Sequence, residues 1–229
     1  MPNPLPELCT GNFSSGHIFH EMIDRYTTIT ATNGGTKQNI TLNDADNDFT
    51  GAVKIVGANV KIKDSGKDSD SNVGIDLGAS TVSGTYTVTA ITGNITDSGT
   101  LAITQLATFN TSASNATITL DETGSTFAAG VSLNTIGDSG NATVDTGTNA
   151  LIVATSSVGG NLTLTSGNAS GITDLVGATV TVNGNLSATT DANNGVINLG
   201  DLAVNTDGGS TIAFAPHGSG NVTIVNADG

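Results

Sequence analysis

The feature that most constrains the fold is an internal repeat with a period near 77 residues. Three segments return after 76 to 78 positions: Ile40–Leu42 as Ile118–Leu120, Val82–Thr89 as Val158–Thr165, and Asn94–Asp97 as Gly171–Asp174. A fixed period of this length is typical of repeat architectures, in which neighbouring units stack to bury a continuous core. The chain is therefore expected to be an array of similar units.

Shorter strand-sized units lie inside this period. Gly160–Thr165, Gly177–Val182 and Gly220–Val225 each begin at a turn and then alternate apolar residues with Thr or other polar residues. A period of two predicts a strand with one buried and one exposed face. Gly and Asn at the turns are expected because both accept a positive φ at low cost. No segment from Thr27 onward has a helical pattern.

Two architectures fit this pattern. In a parallel β-solenoid, coils of roughly 20 residues stack at about 4.8 Å around a narrow core of Val, Ile, Leu and Ala. The alternative is a row of tandem Ig-like β-sandwiches, one per period, whose thicker cores usually hold several large rings. Aromatic residues make up only 3% of the chain, and Trp is absent. The few rings and the frequent strand units favour an all-β parallel β-solenoid.

The first segment lacks the repeat. Residues 1–37 are predicted to form an N-terminal arm with a short amphipathic helix, and residues 38–229 the solenoid. The predicted helix follows Ser14-Ser15-Gly16. It carries one apolar stripe of assembly candidates: Ile18, Phe19, Met22 and Ile23. Because a solenoid has an open edge at each end, we expect this stripe to cover the first coil or to dock on a preceding subunit.

The charge distribution limits the partners. The chain has 20 acidic and 6 basic residues, and no Lys or Arg follows Lys67. Few cations can neutralise phosphate, so nucleic acid and anionic lipid are not expected to bind. No apolar run is long enough to insert into a membrane. Met1 to Leu8 lacks a signal-peptide core, so a secreted form is expected to be trimmed or part of a longer chain.

Two acidic loops are calcium candidates. Asp44, Asp46 and Asp48 are spaced like the start of a calcium-binding loop, but positions six and twelve hold Phe49 and Ile55 in place of Gly and Glu. The second loop contributes two further candidates, Asp68 and Asp70. A solvated turn is the alternative for both loops. Calcium is the one ligand these residues suggest, and no cofactor is predicted.

No residue set predicts catalysis. His17, His20 and Glu21 lack the HExxH order of a zinc protease and a third ligand. No Gly-x-Ser-x-Gly nucleophile elbow is present. The absence of Lys and Arg after Lys67 removes the base that β-helical polysaccharide lyases use from most of the predicted solenoid. We therefore expect a protein that is not an enzyme and that has no catalytic residues.

Thr-x-Thr pairs suggest an ice-binding solenoid as a lesser alternative. Thr87-Val88-Thr89 and Thr179-Val180-Thr181 would have to lie in a flat array on successive coils. The uneven spacing of the strand units argues against such an array. A single isolated histidine, His217, is expected to lie in a turn.

The segment from Asn39 to Val53 resembles the repeat unit of very large bacterial surface proteins of the filamentous-haemagglutinin type. Gly57–Val60 and Gly93–Gly99 resemble it as well, and the resemblance covers Gln38 to Gly229. It implies a right-handed parallel β-helix that is exported and acts in adhesion or in a surface fibre.

The function expected from these features is structural. The chain is predicted to be a component of an extracellular fibre or a cell-surface adhesin, assembled end to end or continuing into a longer chain. The alternative is a carbohydrate-binding or carbohydrate-cleaving β-helix, with a host or surface glycan as partner. The expected location is extracellular or on the cell surface.

Overall fold

The computed structural model describes residues 8–10, 13–14, 26–66, 74–205 and 208–226. These residues form 27 β-strands and no α-helix, in a parallel β-solenoid of about 8 turns. The predicted fold class is confirmed. In chain order the strands are β1 (Leu8–Thr10), β2 (Phe13–Ser14), β3 (Tyr26–Thr30), β4 (Thr32–Asn33), β5 (Thr36–Lys37), β6 (Ile40–Leu42), β7 (Ala52–Gly57), β8 (Val60–Asp64), β9 (Gly74–Leu77), β10 (Ser80–Val82), β11 (Tyr86–Ala90), β12 (Asn94–Asp97), β13 (Leu101–Ile103), β14 (Ala107–Ser114), β15 (Ile118–Leu120), β16 (Thr126–Phe127), β17 (Val131–Ile136), β18 (Ala142–Asp145), β19 (Leu151–Val153), β20 (Ser156–Val158), β21 (Leu162–Ser166), β22 (Ile172–Asp174), β23 (Val180–Val182), β24 (Leu186–Thr190), β25 (Ile197–Val204), β26 (Ile212–Ala215) and β27 (Val222–Asn226).

From β9 onward each coil supplies strands to three faces. Face 1 contains β1, β3, β7, β9, β12, β15, β18, β21, β24 and β26. Face 2 contains the end of β7 with β10, β13 and β16, and then β19, β22, the start of β25 and β27. Face 3 contains β2, β6, β8, β11, β14, β17, β20, β23 and the end of β25. Every described pairing is parallel except the small hairpin of β4 and β5. Tandem Ig-like sandwiches, whose sheets are antiparallel, are therefore wrong.

The coils differ in length, but the strands stay in register. Gly74 pairs with Asn94, a coil of 20 residues, whereas Leu186 pairs with Ile212, a coil of 26. The loops between strands absorb the difference. Coils of different length thus pair their strands in the same way, and the uneven spacing of the strand units along the sequence does not change which face a strand joins.

The core is a set of inward columns that run along the axis. On face 3, Ile40, Val60, Tyr86 and Ala107 lie opposite one another on successive strands, and each is at most 2% exposed. Two edge-to-face contacts link the largest rings, with centroids 6.0 Å apart for Tyr86 and Phe109 and 6.1 Å for Phe109 and Phe127. Such contacts stabilise a core beyond the area they bury. Three of the eight rings of this chain therefore lie together in its middle coils.

Asparagines at the turns connect one coil to the next. The Asn141 side-chain oxygen accepts a hydrogen bond from the Asn161 amide at 2.7 Å, and the Asn161 oxygen accepts one from the Asn185 amide at 2.8 Å. Positive φ is found at glycines such as Gly93 and Gly177, as expected, whereas the asparagines of this ladder do not have it; the non-glycine residues with positive φ among those described are Asn115 and Asn194. The asparagines of the ladder act as acceptors for otherwise unpaired turn amides.

The glycine before each of these asparagines is required by close packing. A Cβ on Gly160 would clash with the side-chain oxygen of Asn141, and one on Gly184 would lie 2.6 Å from that of Asn161. Real Cβ contacts are not this short. The Gly-Asn pair therefore works as one unit, in which glycine makes room for the asparagine of the preceding coil.

The 77-residue repeat advances around the solenoid as well as along it. Ile40–Leu42 lies on face 3 and its copy Ile118–Leu120 on face 1, while Asn94–Asp97 lies on face 1 and Gly171–Asp174 on face 2. One repeat therefore spans three coils and one further strand. Three consecutive repeats would return a given segment to its original face after ten coils.

The ladders begin ahead of residue 38. β3 pairs with β7, and β1 pairs with β3, so strands within 1–37 stack on face 1. The division into an arm and a solenoid stays a prediction. The predicted helix over His17–Arg25 lies outside the described residues, as do the assembly candidates Ile18, Phe19, Met22 and Ile23.

Candidate functional site

Face 3 carries two aligned columns of short polar side chains. In the first column Thr87 lies opposite Thr108, which lies opposite Ser132. The second column runs over five successive strands: Thr89, Asn110, Asn134, Ser157 and Thr181. Neighbouring strands place such groups about 4.8 Å apart. The uneven coil lengths therefore do not prevent alignment, but the columns mix Thr with Ser and Asn, and Ser132 is buried.

Face 3 is also free of charge over this stretch. The strands β11, β14, β17, β20 and β23 contain no Asp, Glu, Lys or Arg, although the whole chain has a formal net charge of -14. Some of these side chains bond to each other: the side-chain amide of Asn134 donates a hydrogen bond to the side-chain oxygen of Asn110 at 3.0 Å. The stretch of face 3 from β11 to β23 is thus a neutral surface on an acidic molecule, next to Lys61 and Lys63 in β8.

An apolar depression lies beside face 3, at the corner before β20 and β23. It is lined by Leu106, Ala154, Leu175, Val176 and Ala178, with Ser132, Thr155 and Gly177 at its margin. Val176 is fully exposed, and Leu106 and Leu175 are each 36% exposed. Such a depression is suited to an apolar contact, and nothing among the described residues fills it.

The last described coil is less buried than the coils before it. On face 1, Leu186 and Ala188 are 0% exposed, whereas Ile212 and Phe214, opposite them in β26, are only partly buried. On face 2, Val222 in β27 lies opposite the fully buried Ile197 and is 40% exposed. The burial changes because no described strand pairs with the outer edges of β26 and β27. Free strand edges with half-exposed apolar residues favour addition of a further strand.

Two copies of one motif cap the turns of neighbouring coils. The Asp97 oxygen Oδ1 accepts the Asp121 amide at 2.9 Å, and the Asp174 oxygen Oδ2 accepts the Gly200 and Asp201 amides at 2.7 and 3.0 Å. Both aspartates end an Ile-Thr-Asp strand, one repeat apart. The motif therefore joins coils on face 1 and again on face 2.

Asp97 differs from Asp174 in its environment. It is 8% exposed, and its other oxygen, Oδ2, is buried without a hydrogen-bond partner. Burial raises the pKa of the Asp97 carboxyl to about 6, and the charges of Asp121 and Glu122 add to the rise. The amides of those two residues oppose it. Asp97 is thus a carboxylate whose charge the fold disfavours.

The described calcium candidates form a turn. The Asp44 side-chain oxygen accepts the Asp46 amide at 2.9 Å, and both residues are exposed, while Asp48 is half-buried. Within the described residues no three His, Cys, Asp or Glu side chains come together as a metal site requires. Asp68 and Asp70 lie outside the described residues, as do His17, His20 and Glu21.

His217 lies in the loop between β26 and β27, as expected. Its Nδ1 is 3.0 Å from the Asp191 carbonyl oxygen, and its own carbonyl accepts the Asn194 amide at 2.9 Å. These contacts join the loop to the turn of the preceding coil. In the described part of the chain, no helix combines the length and the apolar character needed to span a membrane.

Sequence reasoning missed Asp97. The signal was present, because the alternation of Asn94-Ile95-Thr96-Asp97 places Asp97 on the same side of the strand as the buried Ile95. A charged residue at an inward position is rare without a partner. The apolar depression had no comparable signal, since it forms where loops of four coils meet.

The described residues thus define a β-solenoid repeat protein with a neutral stretch on face 3, from β11 to β23. Residues 24–56 and 57–134 match a family described as repeats of unknown function (DUF5649), together slightly less than half of the chain. The second match has the length of the internal repeat. No curated protein and no solved structure matches the chain.

Proposed function

We propose that this chain is a structural module of an extracellular fibre or a cell-surface adhesin of the filamentous-haemagglutinin type, in which solenoid coils stack end to end. The observation that carries the proposal is the partial burial of the last described coil. Ile212, Phe214 and Ile224 lie on inward columns and are only partly buried. A further coil, from a second copy or from a longer chain, would complete their burial.

The shift of each repeat to the next face supports a role in presenting binding groups on the surface of a fibre. Because each 77-residue repeat begins one face further on, any feature carried once per repeat points in three directions along an extended array. Multivalent presentation raises avidity without any new contact. An adhesin or a bundled fibre built from such repeats would therefore present the same group on all sides.

The backbone pairing and the composition suit a protein that extends from the cell into solution. Parallel ladders pair the backbone groups of successive coils, and the 20 acidic residues keep a long surface soluble. The proposal assigns no catalysis and no cofactor. The largest rings, Tyr86, Phe109 and Phe127, are buried in the core, which leaves them unable to line a groove for a carbohydrate.

Electron microscopy and sedimentation of the purified protein test the proposal. We expect filaments, or concentration-dependent oligomers that grow end to end. The variant Val225→Lys places a charge on the exposed edge strand β27 and is expected to shorten the assemblies several-fold, because edge lysines oppose strand addition.

A matched control uses another exposed valine. Val176→Lys adds the same charge at the corner depression, away from the last described coil, and should leave assembly length unchanged. A wild-type protein that stays monomeric at all concentrations would contradict assembly between copies. If both variants shorten the assemblies equally, the added charge and not its position on the edge strand would be the cause.

The aligned columns of face 3 favour a second candidate, binding to a regular surface such as ice. Thr87, Thr108 and Thr89 present hydroxyl groups at the spacing of the strands. Thermal hysteresis is the measurement. It should be present in the wild type and fall at least several-fold in Thr108→Tyr, which would disturb both columns, and its absence from the wild type would exclude this candidate.

A further inference from the structure

We propose that Asp97 is a proton-responsive support of the solenoid, which strengthens the contact between its middle coils in mildly acidic surroundings. This inference concerns the stability of the fold and stands independently of the proposed function. It rests on the place of one carboxyl group in the inner columns of face 1.

Asp97 interrupts an apolar column. Leu77 lies directly opposite it in β9, and the register of β12 with β15 places Leu120 on its other side. Leu77 is 0% exposed and Leu120 is 1% exposed. The carboxyl is therefore held between two buried leucines, and removing an ion from water in this way is unfavourable unless it is paired.

One oxygen of Asp97 is bonded and the other is not. Oδ1 accepts the Asp121 amide, while Oδ2 is buried with no partner. A neutral carboxylic acid can keep the bond on Oδ1 and removes the charge from Oδ2. Protonation therefore removes the buried charge of Asp97 and keeps its hydrogen bond to the Asp121 amide of the next coil.

The surrounding elements offer no cation. β9 contributes Asp76, whose side chain bonds Ser98 at 2.8 Å, and the turn after β15 contributes Asp121 and Glu122. β13 and β14 contain no titratable residue. The charged groups on these elements are thus acidic, and the charges of Asp121 and Glu122 favour the neutral form of Asp97.

The sign of the effect follows from the raised pKa of Asp97. The folded protein binds this proton as the pH falls through about 6, whereas the unfolded chain binds it near the ordinary 3.8. Stability therefore rises as the pH falls from above 6 towards 4 and no longer depends on this group below that range. The difference between the two values corresponds to about a 100-fold change in the folding equilibrium constant.

Urea unfolding of the wild type and of Asp97→Asn between pH 4 and pH 8 tests the proposal. The readout is the ratio of the two folding equilibrium constants at each pH. We expect this ratio to change by about 100-fold in favour of the variant from pH 4 to pH 8. If the side-chain amide of the new asparagine lacks a partner, the variant loses stability equally at every pH. This loss changes the value of the ratio but not its dependence on pH.

Asp174→Asn is the matched control, because Asp174 makes the same kind of cap at a half-exposed position. Its ratio to the wild type should vary much less over the same range. A flat ratio for Asp97→Asn would overturn the proposal. If that variant fails to fold, carbon-13 NMR of the Asp97 carboxyl in the wild type decides: a midpoint near 6 supports the proposal, and a midpoint below 4.5 overturns it.

Discussion

The middle coils and the last coil contain similar strands with different burial. In β11, Tyr86 and Val88 are 0% exposed, whereas in β26, Ile212 and Phe214 alternate with small residues in the same way and remain partly exposed. The alternation determines which side of a strand faces the axis. Complete burial requires a neighbouring coil on both sides, so stability in this fold depends on position in the stack.

The largest expected difference between these regions comes from the aromatic stack. Phe109→Ala removes a ring that contacts both Tyr86 and Phe127, and it should lower the free energy of unfolding by about 3–5 kcal/mol. Phe214→Ala removes the same ring from the last described coil and should lower it by less than half as much. Equal losses in urea unfolding would contradict the contrast between the two coils.

A smaller effect is expected at the glycines that pack against a preceding coil. In Gly160→Ala the new methyl group clashes with the side-chain oxygen of Asn141, and we expect the free energy of unfolding to fall by about 1–3 kcal/mol. Gly200 offers the control, because its nearest neighbour would be 3.9 Å away. Gly200→Ala should stay within about 0.5 kcal/mol of the wild type in the same measurement.

The smallest effect concerns the asparagine ladder. Asn161→Ala leaves the Asn185 amide without its acceptor and should cost about 1–2 kcal/mol. Asn221 also follows a glycine, at the turn before β27 on face 2 of the last described coil, and no described coil follows it. Asn221→Ala should therefore change the thermal midpoint little, and a comparable loss for both variants would show that the side chains act within their own turn.

Much of this fold could be predicted because its signals are local. The alternation around Leu162 and Leu164 determines the inward side of β21, and the repeated segments predict stacked units. The role of Asn161 could not be predicted, since it depends on a glycine and an amide 20 or more residues away. The shift of each repeat to the next face could not be predicted either. It follows from the presence of three strands per coil, and the variable loop lengths hide that number in the sequence.

The candidate surfaces were less predictable than the fold. The columns of face 3 arise because loops absorb the differences in coil length, so Thr89 and Asn110 align although their neighbours in sequence differ. The apolar depression at Val176 combines loops from several coils. Asp97 was the exception, because an inward aspartate is visible from alternation alone.

A distance between two spin labels tests the stacked solenoid most directly. Thr96 and Ala213 lie on the same outward column of face 1, five steps apart through Thr119, Thr143, Thr163 and Ser187. With Cys9→Ser, Thr96→Cys and Ala213→Cys, pulsed electron resonance should give one narrow distribution near 24 Å, about five strand spacings. A broad distribution, or one centred beyond about 35 Å, would contradict a continuous parallel stack.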